Sequence, residues 1–191
     1  AIAFDHWQTF RPTSCGKAVD RMEIRIDSSD PFNQVGEILT KGMNVMDGYY
    51  NNPEASNTVL SPDGWLHTGD LGVLDPDGYL YIKGRSKSLI LGPSGQNIYP
   101  EEIEDLLNAQ PYIAESLVIE REGKLVALVY PDAEAMKQNK ISRETLLKII
   151  HETRKQINQQ LPAYSQIARI EIHDEEFEKT PKRSIKRFLY Q

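Results

Sequence analysis

Two charged residues stand where a ligand can reach them. Asp70 follows Thr68-Gly69 and precedes an apolar stretch read as a strand. An ionised carboxylate accepts two hydrogen bonds at once, and a ribose diol offers two adjacent donors. A neighbouring glycine lets a ligand approach the backbone. Asp70 is therefore either a ribose-binding acid or a turn aspartate that bonds its own backbone, the commoner use of Asp in such turns. Arg85 follows Gly84. Its guanidinium stays charged and presents a planar fork of donors suited to a ribose or phosphate; the alternative is a surface ion pair of little energetic worth. Lys87 is either a pivot between two halves of the chain or a solvated lysine.

Two further stretches carry chemical potential. Gly92-Pro93-Ser94-Gly95 is a run of small residues against which an extended substrate can lie, or a plain connection. It lacks the Gly-Lys-Ser or Gly-Lys-Thr ending of a phosphate cradle. Near the C-terminus stand Lys179, Lys182, Arg183, Lys186 and Arg187. A mobile lysine there reaches a phosphoryl or carboxylate oxygen; the bland alternative is a solvated basic tail balancing Asp174, Glu175, Glu176 and Glu178. His6, His67, His151 and His173 have no metal-ligand spacing, and Cys15 is the single cysteine. No metal site is expected from these residue types, nor is there a Gly-x-Ser-x-Gly nucleophile elbow.

These residues need elements to position them. Met22–Asp27 alternates apolar and polar, the signature of a half-buried strand. Gly36–Thr40 predicts a second strand, ending near Gly42, and Asn51-Asn52-Pro53-Glu54 a helix start with Pro in the first turn. Pro76-Asp77-Gly78 lies between Leu71–Leu74 and Tyr79–Ile82, which predicts an antiparallel hairpin. After Gly84 the pattern changes to α+β. A short strand is expected at Ser88–Leu91. Pro100 opens a helix with Glu101, Glu102 and Glu104 at its positive end, and Ile103, Leu106 and Leu107 form its stripe. Strands are expected over 114–119, 125–130 and 167–172. Ser142 caps a long helix whose face is Leu146, Ile150, Ile157 and Leu161, and Pro162 ends it.

Composition sets the class. The 191 residues suit one large domain or two small ones, and 39% hydrophobic with 26% charged residues is that of a globular protein. A net charge of −6 makes nucleic acid an unexpected partner. No apolar run reaches the roughly 18 residues of a membrane helix. The stretch Ala1-Ile2-Ala3-Phe4-Asp5-His6 lacks the basic start and apolar core of a signal peptide. A cytoplasmic setting is the expectation.

Taken in order, the motifs resemble the acyl-adenylate-forming superfamily of acyl-CoA synthetases, luciferases and peptide-synthetase adenylation domains. Gly36-Glu37-Ile38 with Gly42, then Gly48-Tyr49 with Pro53-Glu54, is similar to the segment before that superfamily's nucleotide-binding acid. Trp65-Leu66-His67-Thr68-Gly69-Asp70 resembles its Tyr/Trp-x-x-Thr-Gly-Asp motif, Gly84-Arg85-Ser86-Lys87 its hinge, and Gly95–Glu104 the segment after the hinge. The nearest group is the long-chain fatty-acid–CoA ligases. The resemblance implies an α+β fold. Residues 1–84 would form a β-rich, distorted-barrel subdomain of a large adenylation domain, and residues 85–191 a small α+β lid with a short sheet and two main helices. It implies that Asp70 binds the ribose hydroxyls of ATP, that Arg85 supports the same nucleotide, and that Lys87 is the hinge about which the lid rotates between an adenylating and a thioester-forming pose. Gly92, Pro93, Ser94 and Gly95 would line the pantetheine path of coenzyme A.

The implied ligands are ATP, Mg2+, coenzyme A and a small carboxylic acid, a fatty acid first. The superfamily's phosphate loop and its Tyr-Gly-x-Thr-Glu motif do not occur in the chain. They are expected upstream of Ala1, so that the chain is the C-terminal part of a larger enzyme and inactive alone, its partner being the rest of that enzyme. The superfamily's catalytic lysine sits in a Lys-Ile-x-Arg frame. Here that frame reads Ser184-Ile185-Lys186-Arg187, so Ser184 holds the lysine position and Lys182 or Lys186 would substitute from either side. Two other readings stand beside the ligase: a binding or regulatory module that kept the fold without the chemistry, and an adenylating enzyme that loads a carrier protein.

Overall fold

The computed structural model describes residues 2–191, so the N-terminal stretch is described from Ile2 onward. The chain divides into two compact units that meet in sequence between Lys87 and Ser88.

In the first unit, β1 (Ala3–Phe4) pairs antiparallel with β2 (Lys17–Ala18). The main sheet consists of β3 (Met22–Asp27), β4 (Gly36–Gly42), β5 (Leu66–Leu74) and β6 (Leu80–Arg85), antiparallel and in that spatial order. It is open, with β3 and β6 at its edges among the described residues. The alternation in β3 buries Met22 and Ile26, and Ile26 joins Ile38 and Leu80 in the core. One short helix, α1 (Pro53–Val59), interrupts the strands; the Asn52 side chain accepts from the Ala55 amide, and Pro53 opens the helix. The β5–β6 turn is held by Asp75, whose Oδ1 accepts from the amides of Asp77 and Tyr79, both at 2.9 Å. Gly78 takes the left-handed conformation that this turn needs (φ +84°).

In the second unit, β7 (Ile90–Leu91) and β8 (Asn97–Ile98) form a two-stranded ribbon ahead of α2 (Pro100–Asn108). Then follow β9 (Ile113–Arg121), β10 (Lys124–Pro131), α3 (Ala133–Gln138), α4 (Arg143–Gln160) and β11 (Ile167–Ile172). The sheet order is β11-β10-β9, with β9 antiparallel and β11 parallel to β10. The parallel pairing follows from the α4 crossover, since parallel neighbours need a long connection. Both faces of this sheet are covered. Val118, Ala127 and Val129 pack in one cluster with Ile103 and Leu107 of α2 and with Leu146, Ile150 and Ile157 of α4. Leu117, Ile119, Val126 and Leu128 pack in a second cluster with Phe177. Burial on both faces is why β9 and β10 read as near-continuous apolar runs.

The expected α+β class is the observed one. Additional to the sequence reading are β1, β2, β8, α3 and a C-terminal segment in which Lys179 and Ile185 form an antiparallel bridge. Asp70 also lies within β5 rather than ahead of a strand. No helix of the described residues is long and apolar enough to cross a membrane.

Candidate functional site

Asp70 and Arg85 are brought together by register. They are direct partners across the β5–β6 ladder, and Arg85 Nε lies 3.1 Å from Asp70 Oδ1. The Arg85 side chain is 66% exposed and that of Asp70 30% exposed. An exposed pair of this kind contributes little to stability, and its open carboxylate and guanidinium edges remain available to a ligand. A carboxylate and a planar cation at one sheet edge can together hold a vicinal diol and an adjoining anionic group.

The strand that presents Asp70 is braced from β4 by Glu37. One Glu37 oxygen lies 2.9 Å from His67 Nδ1, and the other accepts from the Gly69 amide, also at 2.9 Å. The Thr68 hydroxyl donates to the Ile38 carbonyl at 2.7 Å and accepts from the Asp70 amide at 3.1 Å. Gly69 sits at φ +75° in mid-strand, a conformation that favours glycine. The reading of Asp70 as an aspartate bonding its own turn is thus replaced by a different geometry: the side chain pairs across the sheet, and Thr68 supplies the local bond to the backbone. Sequence reasoning assigned no role to Glu37. Its signal was a lone carboxylate inside a strand between Gly36 and Ile38.

Lys87 lies, exposed, in the 3-10 turn Ser86–Ser88 where the first unit ends. Gly92–Gly95 is the turn of the β7–β8 ribbon. The Gly92 amide donates to the Gln96 carbonyl at 2.8 Å, the Gly95 amide donates to the Gly92 carbonyl at 2.9 Å, and Gly95 takes φ +81°. Gly92 is buried; Pro93, Ser94 and Gly95 are exposed. The loop forms one wall of a cleft of about 430 Å3, whose other walls include Lys124, Tyr164 and Gln166.

Three of the five C-terminal cations are matched to carboxylates, and Lys182 and Arg183 are exposed. Lys179 pairs with Glu115 of β9 and with Glu176, and both partners raise its pKa. Lys186 lies 3.1 Å from Glu178. Arg187 pairs with Glu104 of α2 and donates to the Val118 carbonyl at 3.2 Å. Glu104 is 8% exposed and accepts from the Val118 amide at 2.6 Å. Burial pushes its carboxyl up to about 7, against the opposing pull of Arg187 and the Val118 amide. Phe177 stacks on His173 at 4.9 Å, and Tyr190 meets both edge-on. The balancing acids therefore include Glu104 and Glu115, which sequence spacing did not connect to the tail. Ser184 sits exposed at the end of the turn that these anchors present, flanked by exposed Lys182 and Arg183.

Comparisons with known proteins bear on the family and the fold. The AMP-binding enzyme C-terminal domain model matches residues 87–190. Over 124 residues, 61% of the chain is 44% identical to an indoleacetate–CoA ligase from Aromatoleum aromaticum, covering 24% of that protein. Over 123 residues, 64% of the chain is 39% identical to a long-chain-fatty-acid–CoA ligase from Gallus gallus, covering 16% of it. The chain thus spans less than a quarter of the length of either relative. Among solved structures, O-succinylbenzoate coenzyme A synthetase from Bacillus subtilis, in complex with ATP and a magnesium ion, matches with a TM-score of 0.72 at 30% identity, over 93% of this chain and 35% of that one. The family match over residues 87–190, together with these relatives, gives one assignment: the chain belongs to the AMP-binding enzyme C-terminal domain family, within the acyl-adenylate-forming superfamily.

Proposed function

We propose that the chain is the C-terminal part of an ATP-dependent acid–CoA ligase, acting in the cytoplasm, that activates a carboxylic acid as an acyl-adenylate and passes the acyl group to coenzyme A. The observation that carries this reading is the Asp70–Arg85 pair, held at 3.1 Å on a braced strand. Asp70 takes the ribose hydroxyls of ATP, and Arg85 supports the same nucleotide. Lys87 is the hinge, and the Gly92–Gly95 turn with its cleft is the pantetheine path. The acid is one of a class that includes aryl and fatty members, with a fatty acid as the finer reading, supported by the 39% identity to the Gallus gallus ligase.

The chemistry begins with two like-charged reactants. A carboxylate oxygen attacks the α-phosphorus of ATP, and the bond to the bridging oxygen breaks. Pyrophosphate leaves with the electron pair. No proton moves in this step, so catalysis is positioning and charge compensation. The thiolate of coenzyme A then attacks the acyl carbon and AMP leaves. Magnesium supplies charge neutralisation on the phosphate oxygens. No cluster of three or more His, Cys, Asp or Glu among the described residues is placed to hold a metal. Lys182 and Lys186 flank Ser184 as the candidates for the charge it cannot supply, and of the two Lys186 is already paired with Glu178.

Carboxylate-dependent pyrophosphate exchange by the full-length protein, run over a panel of fatty and aryl acids, tests the reading. Exchange with at least one acid is expected. Binding of ATP without exchange on any acid favours the non-catalytic module, for which Ser184 at the lysine position is the supporting observation.

A further inference from the structure

The C-terminal segment carries cations of two kinds. Lys179, Lys186 and Arg187 are each matched to carboxylates: Glu115 and Glu176, Glu178, and Glu104 respectively. Each of these three is at least partly buried. Lys182 and Arg183 are exposed and make no ion pair among the described residues. They project from a closed turn. The Thr180 amide donates to the Ser184 carbonyl at 2.8 Å, and the Arg183 amide donates to the Thr180 carbonyl at 2.8 Å. The Ser184 amide donates to the Thr180 hydroxyl at 3.3 Å. The turn places Arg183 at φ +63°, in the left-handed region that a residue with a Cβ enters only at a cost. Glycine suits that conformation without strain. Arg183 is one of seven non-glycine residues at positive φ among those described, and it joins that backbone cost to a charge with no ion pair among the described residues.

We propose that Lys182 and Arg183 together form the anion-contacting tip of this unit, and that Arg183 supplies the fork of donors to the α-phosphoryl oxygens during adenylate formation. This rests on the ligase reading above. Lys186 is assigned the other role. Paired with Glu178 at the base of the turn, it braces the segment. The reaction makes the demand plain: a carboxylate approaches a polyphosphate, and charge accumulates on the equatorial oxygens of phosphorus while pyrophosphate departs. A guanidinium meets two such oxygens at once, which a single ammonium does not. The lysine position is vacated by Ser184, and the free charge stands on the two residues before it. Three anchors keep this tip from being a loose arm: the Arg187–Glu104 pair, the Lys179 pairing with Glu115, and the Phe177–His173–Tyr190 cluster.

The decisive variant is Arg183→Gly, which removes the cation and relaxes the backbone. In the full-length protein it is expected to keep or raise the melting temperature while lowering carboxylate-dependent pyrophosphate exchange at least about tenfold, with Lys182→Ala/Arg183→Gly lower still, since charge-stabilising donors are worth this much or more. Arg183→Lys retains part of the rate. Thioester formation from supplied acyl-adenylate and coenzyme A stays within about twofold of wild type, because on the ligase reading that half-reaction runs in the second pose, after the unit has turned about Lys87 and withdrawn the tip. Exchange at the wild-type rate by the double variant overturns the proposal alone. Parallel loss of both half-reactions also overturns it, by making the turn merely structural. A wild type that exchanges on no acid overturns the underlying ligase reading instead.

Discussion

The two units solve the problem of holding charged groups in different ways. In the first, Asp70 and Arg85 sit opposite each other in a β ladder, and their positions are set by strand register and by the Glu37 bonds to His67 and Gly69. In the second, the charged turn Thr180–Ser184 lies outside the sheet, is closed by its own backbone bonds, and is tied to the rest of the unit through side chains: a buried ion pair, a carboxylate clasp and an aromatic cluster. The cores differ in the same direction. The buried cluster of the first unit's sheet is Ile26, Ile38 and Leu80, and Phe4, Trp7, Phe10 and Tyr50 are exposed. The second unit buries both faces of its sheet. The ladder hydrogen bonds of β5 and β6 fix the Asp70–Arg85 pair locally. A side-chain-positioned turn depends on anchors buried in a two-sided core, where a broken ion pair is expensive.

That contrast is open to attack at several points. The largest expected effect is on chemistry. Asp70→Ala is expected to lower pyrophosphate exchange by the full-length protein about 10³-fold, roughly 4 kcal/mol of transition-state stabilisation, with little change in its melting temperature. An unchanged rate removes Asp70 from the site. Next comes Arg187→Met, which leaves Glu104 buried without its counter-charge and is expected to cost the second unit about 3 kcal/mol. Hydrogen exchange should register the loss in β9 and β10 and spare β4 and β5; equal loss in both sheets breaks the comparison.

A smaller effect follows from pH. Folded Glu104 takes up its proton near pH 7 instead of at the ordinary carboxylate value. The folded state therefore binds that proton more tightly than the unfolded chain does. Its contribution to stability is complete below about pH 4.5 and is lost as pH rises through about 7. Denaturation midpoints of Glu104→Gln, measured across that window, should slope less with pH than those of wild type. The smallest effect is at a helix cap. Ser142→Ala removes the acceptor for the Thr145 amide and is expected to cost about 1 kcal/mol, read as a shift in denaturation midpoint without a change in slope.

Much of this was legible before any coordinates. Ser142, Leu146, Ile150 and Ile157 announce a capped amphipathic helix because the signal is periodic and local. Pro76-Asp77-Gly78 between two apolar runs announces the hairpin that later sets Asp70 opposite Arg85. The cation run between Lys179 and Arg187 was visible only as charge. Whether each member is solvated or matched depends on Glu104 and Glu115, which lie far away in sequence.

The sequence by itself determined the family and the two-part α+β organisation, because motif order, hydrophobic period and turn residues are local properties of the chain. Tertiary structure alone decided that β11 runs parallel to β10, that Glu37 braces the strand under Asp70, and that Lys186 is tied down while Lys182 and Arg183 make no ion pair among the described residues. These are long-range pairings. Nothing in a residue's neighbours along the chain records which distant carboxylate will neutralise it, since that choice is made only when packing brings the two together.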